Sequence, residues 1–82
     1  MDIFLLSQTL HKNIVVEWDF WHGMWNAKFK GIAINTLDSR TYGYGLTPEA
    51  AVRQYIDKIK GKRIVFEDLT ADIPKDLVYD RI

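Results

Sequence analysis

The strongest constraint on the fold of this chain is a complete helix signature in residues 46–62, LTPEAAVRQYIDKIKGK. Thr47 is a residue type that caps helix N-termini, Pro48 suits the first helical position, and Glu49 complements the positive end of the helix dipole. Apolar residues then recur at steps of three and four, which places them on one face of a helix. Gly61 supplies the left-handed residue that ends a helix after its last turn. The segment therefore predicts one amphipathic helix that begins at Pro48.

Two runs of alternating apolar and polar residues precede the helix, and this period of two is typical of β-strands with one buried face. The first run is IVVEWDF, residues 14–20, and the second begins near Trp25. The short segment between them contains Gly23, so the two runs predict a hairpin. Trp18 is expected to face an aromatic or small residue across the ladder. The apolar residues on the predicted core face are Ile14, Val16, Trp18, Phe20, Trp25, Ala27 and Phe29.

Two shorter β-prone stretches complete the predicted architecture. Residues 41–45 carry alternating tyrosines and predict a third strand, and residues 62–67, KRIVFE, predict a fourth strand directly after the helix. The resulting class is α+β, with an antiparallel three- to four-stranded sheet and one helix packed on one face, in the order β-β-β-α-β. Residues 1–67 are expected to form this single α+β domain. Residues 68–82 are expected to form an acidic C-terminal tail that either docks onto a neighbour or stays mobile.

Composition excludes several classes of protein. With 48% hydrophobic and 13% aromatic residues the chain is too apolar to be intrinsically disordered, and without Cys it has no disulfide framework. No apolar run approaches the length that crosses a bilayer, and the early run at residues 3–6 is too short for a signal peptide. We therefore expect a cytoplasmic protein without membrane contact. A domain of 82 residues buries limited surface, which favours stabilisation by a partner or as a homo-oligomer.

No residue pattern in the sequence indicates catalysis or a bound cofactor. His11 and His22 lie in or beside predicted turns, without further metal-ligating residues at a suitable spacing. Gly43 and Gly45 precede the helix as glycines do in phosphate-binding loops, but the full spacing and the Lys of such loops are absent. We interpret these glycines as residues that let the chain turn from sheet into helix. The expectation is a protein that is not an enzyme and has no cofactor and no metal site.

Aromatic residues in the hairpin are the first candidates for an interaction site. Trp21 and Met24 lie at the predicted turn and off the core face, so both are expected to be exposed, and an exposed Trp is a common anchor in protein interfaces. Lys62 and Arg63 add positive charge for the electrostatic attraction of a partner. The candidate partner-binding residues are therefore Trp21, Met24, Lys62 and Arg63.

Positive charge in the middle of the chain supports an alternative function, nucleic-acid binding. Residues 28–63 hold eight basic and three acidic residues, whereas the whole chain has 11 of each and no net charge. Basic residues near a helix C-terminus are also favoured by the helix dipole, so this clustering has a structural explanation as well. The residues expected to contact phosphates in this alternative are Arg53, Lys58, Lys60, Lys62 and Arg63.

The hairpin segment WNAKF and the helix segment YGYGLTPEAAVRQYIDKI each contain a short motif. The residues that form them are Trp25, Ala27 and Phe29 in the strand, and Gly45, Thr47, Glu49 and Ala50 at the helix start. Together they resemble the HicB-like antitoxin domain, whose members carry an aromatic-x-Ala strand and a GxT or GxS step followed by xEA. The resemblance covers residues 15–66. It implies a partly open sheet with a helix on one face, dimers formed through sheet edges, and occlusion of a partner such as a small RNA-cleaving toxin.

The chain departs from this family at its C-terminus. Antitoxins of the family usually add a DNA-binding segment, whereas the residues from Asp68 onward are acidic and without a clear pattern. The resemblance therefore does not extend to binding of an operator. The double-stranded RNA-binding domain has a related layout of sheet and helix, but it begins with a helix for which this sequence gives no signal.

Three functions remain open on these grounds. The first is a small non-enzymatic protein-interaction module that binds and occludes a partner protein, namely a toxin, a nuclease or another copy of the chain. The second is a nucleic-acid-binding protein that uses the basic end of the helix. The third is a phage or mobile-element inhibitor of a host nuclease, with an acidic stripe that would form if the C-terminal segment were helical. The residues of that stripe are Asp68, Asp72, Asp76 and Asp80, although Pro74 interrupts any such helix.

Overall fold

A computed structural model describes residues 1–31 and 42–80 of the chain. The elements are α1 (Ile3–Leu10), β1 (Ile14–Asp19), β2 (Met24–Phe29), β3 (Gly43–Gly45), α2 (Pro48–Ile59), β4 (Arg63–Val65) and β5 (Thr70–Asp72). Strands β1 to β3 form one antiparallel sheet in that order, and β4 and β5 form a separate antiparallel pair. The predicted α+β class is confirmed, and so is the helix on the three-stranded sheet. The strand after the helix does not extend that sheet, because it pairs with β5 instead.

The hairpin of β1 and β2 follows from the period of two in the sequence. Ile14 pairs with Phe29, and Val16 pairs with Ala27, so the apolar residues of both strands share the face that packs against the helices. Trp18 pairs with Trp25, and their rings meet edge to face with centroids 5.7 Å apart. The expectation of an aromatic or small residue opposite Trp18 is therefore confirmed, and the residue is aromatic.

Helix α2 has the termini that its sequence predicts. The Thr47 hydroxyl accepts a hydrogen bond from the Ala50 N–H at 3.1 Å, and Pro48 is the first helical residue. Gly61 follows the helix with a φ of 75°, which is the left-handed conformation that glycine adopts without steric cost. The buried face of the helix consists of Ala51, Val52, Tyr55, Ile56 and Ile59.

Gly43 and Gly45 serve close packing and not a change of chain direction. A Cβ atom on Gly43 would lie 2.0 Å from the Ala51 carbonyl oxygen, and one on Gly45 would lie 2.6 Å from the Ala50 Cβ. Neither glycine has a positive φ. These glycines do have a structural role, as expected, but the role is not to let the chain turn from sheet into helix. Strand β3 lies so close to α2 that a side chain does not fit between them.

An N-terminal helix, α1, is the main element that the sequence analysis does not predict. Asp2 is a residue type that caps helix N-termini, but its side chain makes no capping bond, and the first turn holds no acidic residue. Tertiary contacts stabilise it instead. Ile3 and Leu6 are buried in the core, and the Ile3 N–H donates to the Val78 carbonyl at 2.9 Å.

The C-terminal segment packs on its own domain. Ala71, Ile73 and Leu77 are buried in the same core as the two helices and the sheet. Residues of β5 are extended, and a turn follows Pro74, so the acidic residues of this segment do not line one face of a helix. The helical acidic stripe that would favour a nuclease inhibitor is therefore absent from the described residues.

Candidate protein-interaction site

The turn between β1 and β2 is held in place by Asp19. One carboxylate oxygen of Asp19 accepts hydrogen bonds from the N–H groups of Trp21 and His22, at 3.0 and 3.2 Å. The Asp19 carbonyl oxygen accepts a further bond from the Gly23 N–H at 2.8 Å, and Gly23 has a φ of 64°. An Asp at the start of a turn makes such bonds because its short side chain reaches the next backbone N–H groups. These hydrogen bonds therefore fix the backbone of the turn between β1 and β2.

The side chain of His22 adds a polar contact to the same turn. Its Nδ1 lies 2.6 Å from the second carboxylate oxygen of Asp19, and its ring packs 5.4 Å from the ring of Tyr44. Desolvation raises the pKa of Asp19, but the hydrogen bonds and the charge contributed by His22 outweigh it and hold that pKa below its ordinary value. Asp19 therefore stays ionised and keeps its bonds to the turn at neutral pH.

The aromatic residues beyond Asp19 are open to solvent. Trp21 is 93% exposed and Phe20 is 85% exposed, while Met24 is half buried at the start of β2. We name Phe20, Trp21 and Met24 together the hairpin tip. The exposure predicted for Trp21 is confirmed, whereas Met24, which is also expected to be exposed, is only partly exposed. A fixed turn that presents two solvent-exposed aromatic side chains is typical of a protein-binding anchor.

Two residues that the alternation places in the core lie largely outside it. The expectation for Phe20 is wrong because β1 ends at Asp19, so the period of two no longer applies at the next residue. Trp18 contacts Trp25 but remains 52% exposed. The reason is that α2 packs chiefly on β2 and β3, which leaves the end of β1 uncovered by that helix. A turn-forming Asp directly before Phe20 is the sequence signal that could have ended the strand one residue earlier.

Lys62 and Arg63 lie at the other end of the domain from the hairpin tip. The tip adjoins Trp25, which pairs with Gly45 beside the first turn of α2, whereas Lys62 follows the last turn. A helix of 12 residues, such as α2, is about 18 Å long. The structure thus brings Trp21 and Met24 together but separates them from the two basic residues.

Most of the basic residues proposed to contact phosphates already have partners within the chain. Arg53 lies over the ring of Tyr79 at 4.8 Å, and Lys58 donates to the Tyr42 carbonyl oxygen at 2.7 Å. Lys60 pairs with Asp57, and Arg63 pairs with Asp72. Lys62 is the member of this set whose side chain has no partner among residues 1–31 and 42–80.

These pairs weaken the case for a phosphate-binding surface, because a phosphate would have to compete with an existing partner at four of the five positions. Helix α1 precedes β1, so the expectation that no helix lies before the first strand is wrong. A helix in this place shows no nucleic-acid binding by itself, because recognition depends on the side chains that reach the nucleic acid.

Comparison of the chain with protein-family models, with curated proteins and with solved structures finds no match. Within the described ranges, no group of three or more His, Asp or Glu side chains is arranged to hold a metal ion. Among those same residues, neither helix has the length and apolar character that crossing a membrane requires.

Proposed function

We propose that this chain is a small non-enzymatic protein-interaction module that resembles HicB-like antitoxins and acts by binding and occluding a partner protein. The observation that carries the proposal is the hairpin tip, where Phe20 and Trp21 are almost fully exposed on a turn fixed by Asp19. Burying large aromatic side chains gives binding energy, and a turn whose backbone is already ordered lowers the entropy cost of binding.

The chemistry of the hairpin tip indicates what a partner would present. Two aromatic side chains require an apolar pocket or groove, and the carboxylate of Asp19 and the imidazole of His22 beside them require a polar rim. A toxin or a nuclease whose working cleft has apolar walls meets this description, and insertion of the tip would block that cleft. The proposed setting is the cytoplasm, with which the absence of Cys agrees.

Capture of a partner from the cells that carry the gene tests this proposal. Tagged wild-type protein and the variant Phe20→Ala/Trp21→Ala are each incubated with lysate that has been treated with nuclease, and bound proteins are identified by mass spectrometry. We expect one protein in stoichiometric amount with the wild type and its loss with the variant. The matched control is Val78→Ala, which truncates an exposed apolar residue outside the hairpin tip.

The same experiment separates protein binding from nucleic-acid binding. If material is recovered only without nuclease treatment, the basic residues around Lys62 become the better candidates, and affinity should then fall steeply as salt rises. Equal recovery of the same protein by wild type and tip variant would contradict the assignment of the hairpin tip.

A further inference from the structure

The face of the three-stranded sheet that points away from α2 carries aromatic and basic side chains. Both glycines of β3 face α2, so Tyr44 between them points to the other face, with Asn26 and Glu17 beside it in the same row. The next row holds Lys28 and Tyr42, whose side chains are in contact. We name these five residues the outer patch. All five are at least partly exposed to solvent, whereas residues of β2 on the opposite face are buried in the core.

Two tyrosine rings of the outer patch meet at a right angle. The ring centroids of Tyr42 and Tyr44 are 6.1 Å apart, and the ring planes make an angle of 89°. The ring of His22 packs against Tyr44 from the side of the turn, at 5.4 Å. A planar base that stacks on one tyrosine ring therefore packs edge-on against the other, and every nucleobase has a π face for such a contact. A base reaches this corner only when it is unstacked, as the bases of a single strand are.

A lysine ammonium lies beside each tyrosine ring. Nζ of Lys28 is 4.9 Å from the ring centroid of Tyr42, and Nζ of Lys58 is 5.8 Å from that of Tyr44. Lys58 also donates to the Tyr42 carbonyl oxygen at 2.7 Å, so it holds the corner in place. A nucleotide replaces both halves of the contact between Lys28 and Tyr42, because its base takes the ring and its phosphate takes the ammonium. The ion-paired residues near the end of α2 differ, since their carboxylate partners would lose their counter-charge.

Positive charge continues along β2 beyond the corner. Lys30 is exposed just after the strand, two residues and therefore about 7 Å from Lys28. Beside Val15, it lines the open groove between the start of β1 and α1. Its side chain has no hydrogen-bond or ion-pair partner among residues 1–31 and 42–80. The two lysines thus provide a path for a sugar-phosphate backbone next to the aromatic corner.

We propose that the outer patch binds single-stranded RNA. One unstacked base occupies the corner between Tyr42 and Tyr44, and the neighbouring phosphates contact Lys28 and Lys30. The positive charges and the aromatic rings are complementary to the phosphates and the bases of such a strand. This inference does not rest on the proposed function, since the hairpin tip takes no part in it.

A carboxylate on the same face favours RNA over DNA. Asp19 is bonded to the turn and to His22, whereas the exposed Glu17 has no ion-pair partner in the described part of the chain. Glu17 lies in the row of Tyr44, and its carboxylate accepts hydrogen bonds but donates none. The 2′-hydroxyl of RNA supplies a donor that the sugar of DNA lacks.

Fluorescence anisotropy with a labelled 10-nucleotide oligouridylate tests binding by the full chain at up to submillimolar concentration. Two phosphate contacts predict that the logarithm of the association constant falls with that of the salt concentration with a slope of about −1.4. Tyr44→Ala should weaken binding about tenfold through the loss of one stacked base. Lys28→Ala should also weaken binding and bring the slope to about −0.7. Circular dichroism checks that both variants are folded.

Lys62→Ala is the matched control, because it removes an equal charge from an exposed lysine near the end of α2. It should leave the affinity and the slope unchanged, as should Phe20→Ala/Trp21→Ala at the hairpin tip. Oligodeoxyuridylate of the same length should bind about fivefold more weakly, and Glu17→Ala should abolish this difference. No binding at submillimolar concentration, equal losses in Lys28→Ala and Lys62→Ala, or equal affinity of the wild type for both oligonucleotides would overturn the proposal. Partner capture by the hairpin tip would stand in each of these cases.

Discussion

Replacing Gly43 by Ala tests the close packing of β3 against α2. The new Cβ would lie 2.0 Å from the Ala51 carbonyl oxygen and 2.4 Å from the Tyr55 backbone nitrogen. A carbon atom in ordinary contact needs at least 3.4 Å, so strand and helix must separate by more than 1 Å. Backbone atoms form the obstacle on the helix side, and no change of rotamer can relieve it.

The expected cost of Gly43→Ala is at the upper end of what overpacking causes, about 3 kcal/mol or more. A chain of 82 residues has a free energy of unfolding of roughly 4 to 12 kcal/mol, so the variant loses a large part of its stability. With a urea dependence near 1 kcal/mol per M, the unfolding midpoint should fall by about 3 M or the variant should be unfolded in buffer.

Gly23→Ala is the matched control for this prediction. Gly23 has a positive φ but nothing within 4 Å of the position of its Cβ, so the substitution carries only the backbone penalty of about 1 kcal/mol. Urea unfolding followed by tryptophan fluorescence measures both variants. If Gly43→Ala cost no more than Gly23→Ala, the steric argument for the glycines of β3 would be refuted.

Three further predictions concern stability. Burial raises the pKa of Tyr55 to about 12, although the hydrogen bond from the Phe29 N–H to its hydroxyl opposes the shift. Tyr55 should therefore stabilise the fold fully below pH 10 and lose that contribution as pH rises from 10 to 12. Tyr55→Phe should remove this loss in alkaline unfolding but cost about 1 to 3 kcal/mol at neutral pH, because the Phe29 N–H is left unpaired. His11 has a φ of 55°, and His11→Gly should raise stability by about 1 kcal/mol in thermal unfolding. The hydrogen bond from Lys12 lowers the pKa of Asp68, so the stability that this pair adds should be lost as pH falls through that lowered pKa. Acid unfolding of Asp68→Asn should not show this pH-dependent loss of stability.

The parts of the fold that could be predicted from the sequence are those with local signals. The cap at Thr47, the left-handed Gly61 and the pairing of β1 with β2 as a hairpin each depend on residues close in the chain, and all three predictions are confirmed. Helix α1 has only a weak local signal, an Asp at its N-cap that makes no capping bond, and its stability comes from burial of Ile3 and Leu6 by residues distant in the sequence. The pairing of β5 with β4 depends on distant contacts in the same way.

In the candidate site, too, the features with a local sequence signal could be predicted and those that depend on distant contacts could not. The exposure of Trp21 could be predicted, since the residue lies at a turn and off the alternating face. The exposure of Phe20 could not be predicted from periodicity, because the strand ends one residue earlier than the alternation does. The partners of Arg53 and Arg63 depend on where Tyr79 and Asp72 fold back against them, which charge counting along the chain does not capture.

The affinity of the captured partner for variants of the hairpin tip tests the central claim most directly. Calorimetric titration compares wild type, Trp21→Ala and the control Val78→Ala, each shown to be folded by circular dichroism. An anchor residue of this kind contributes about 2 kcal/mol or more, so Trp21→Ala should weaken binding by about 30-fold or more, while Val78→Ala should leave it unchanged. An affinity of Trp21→Ala equal to that of the wild type would contradict the account.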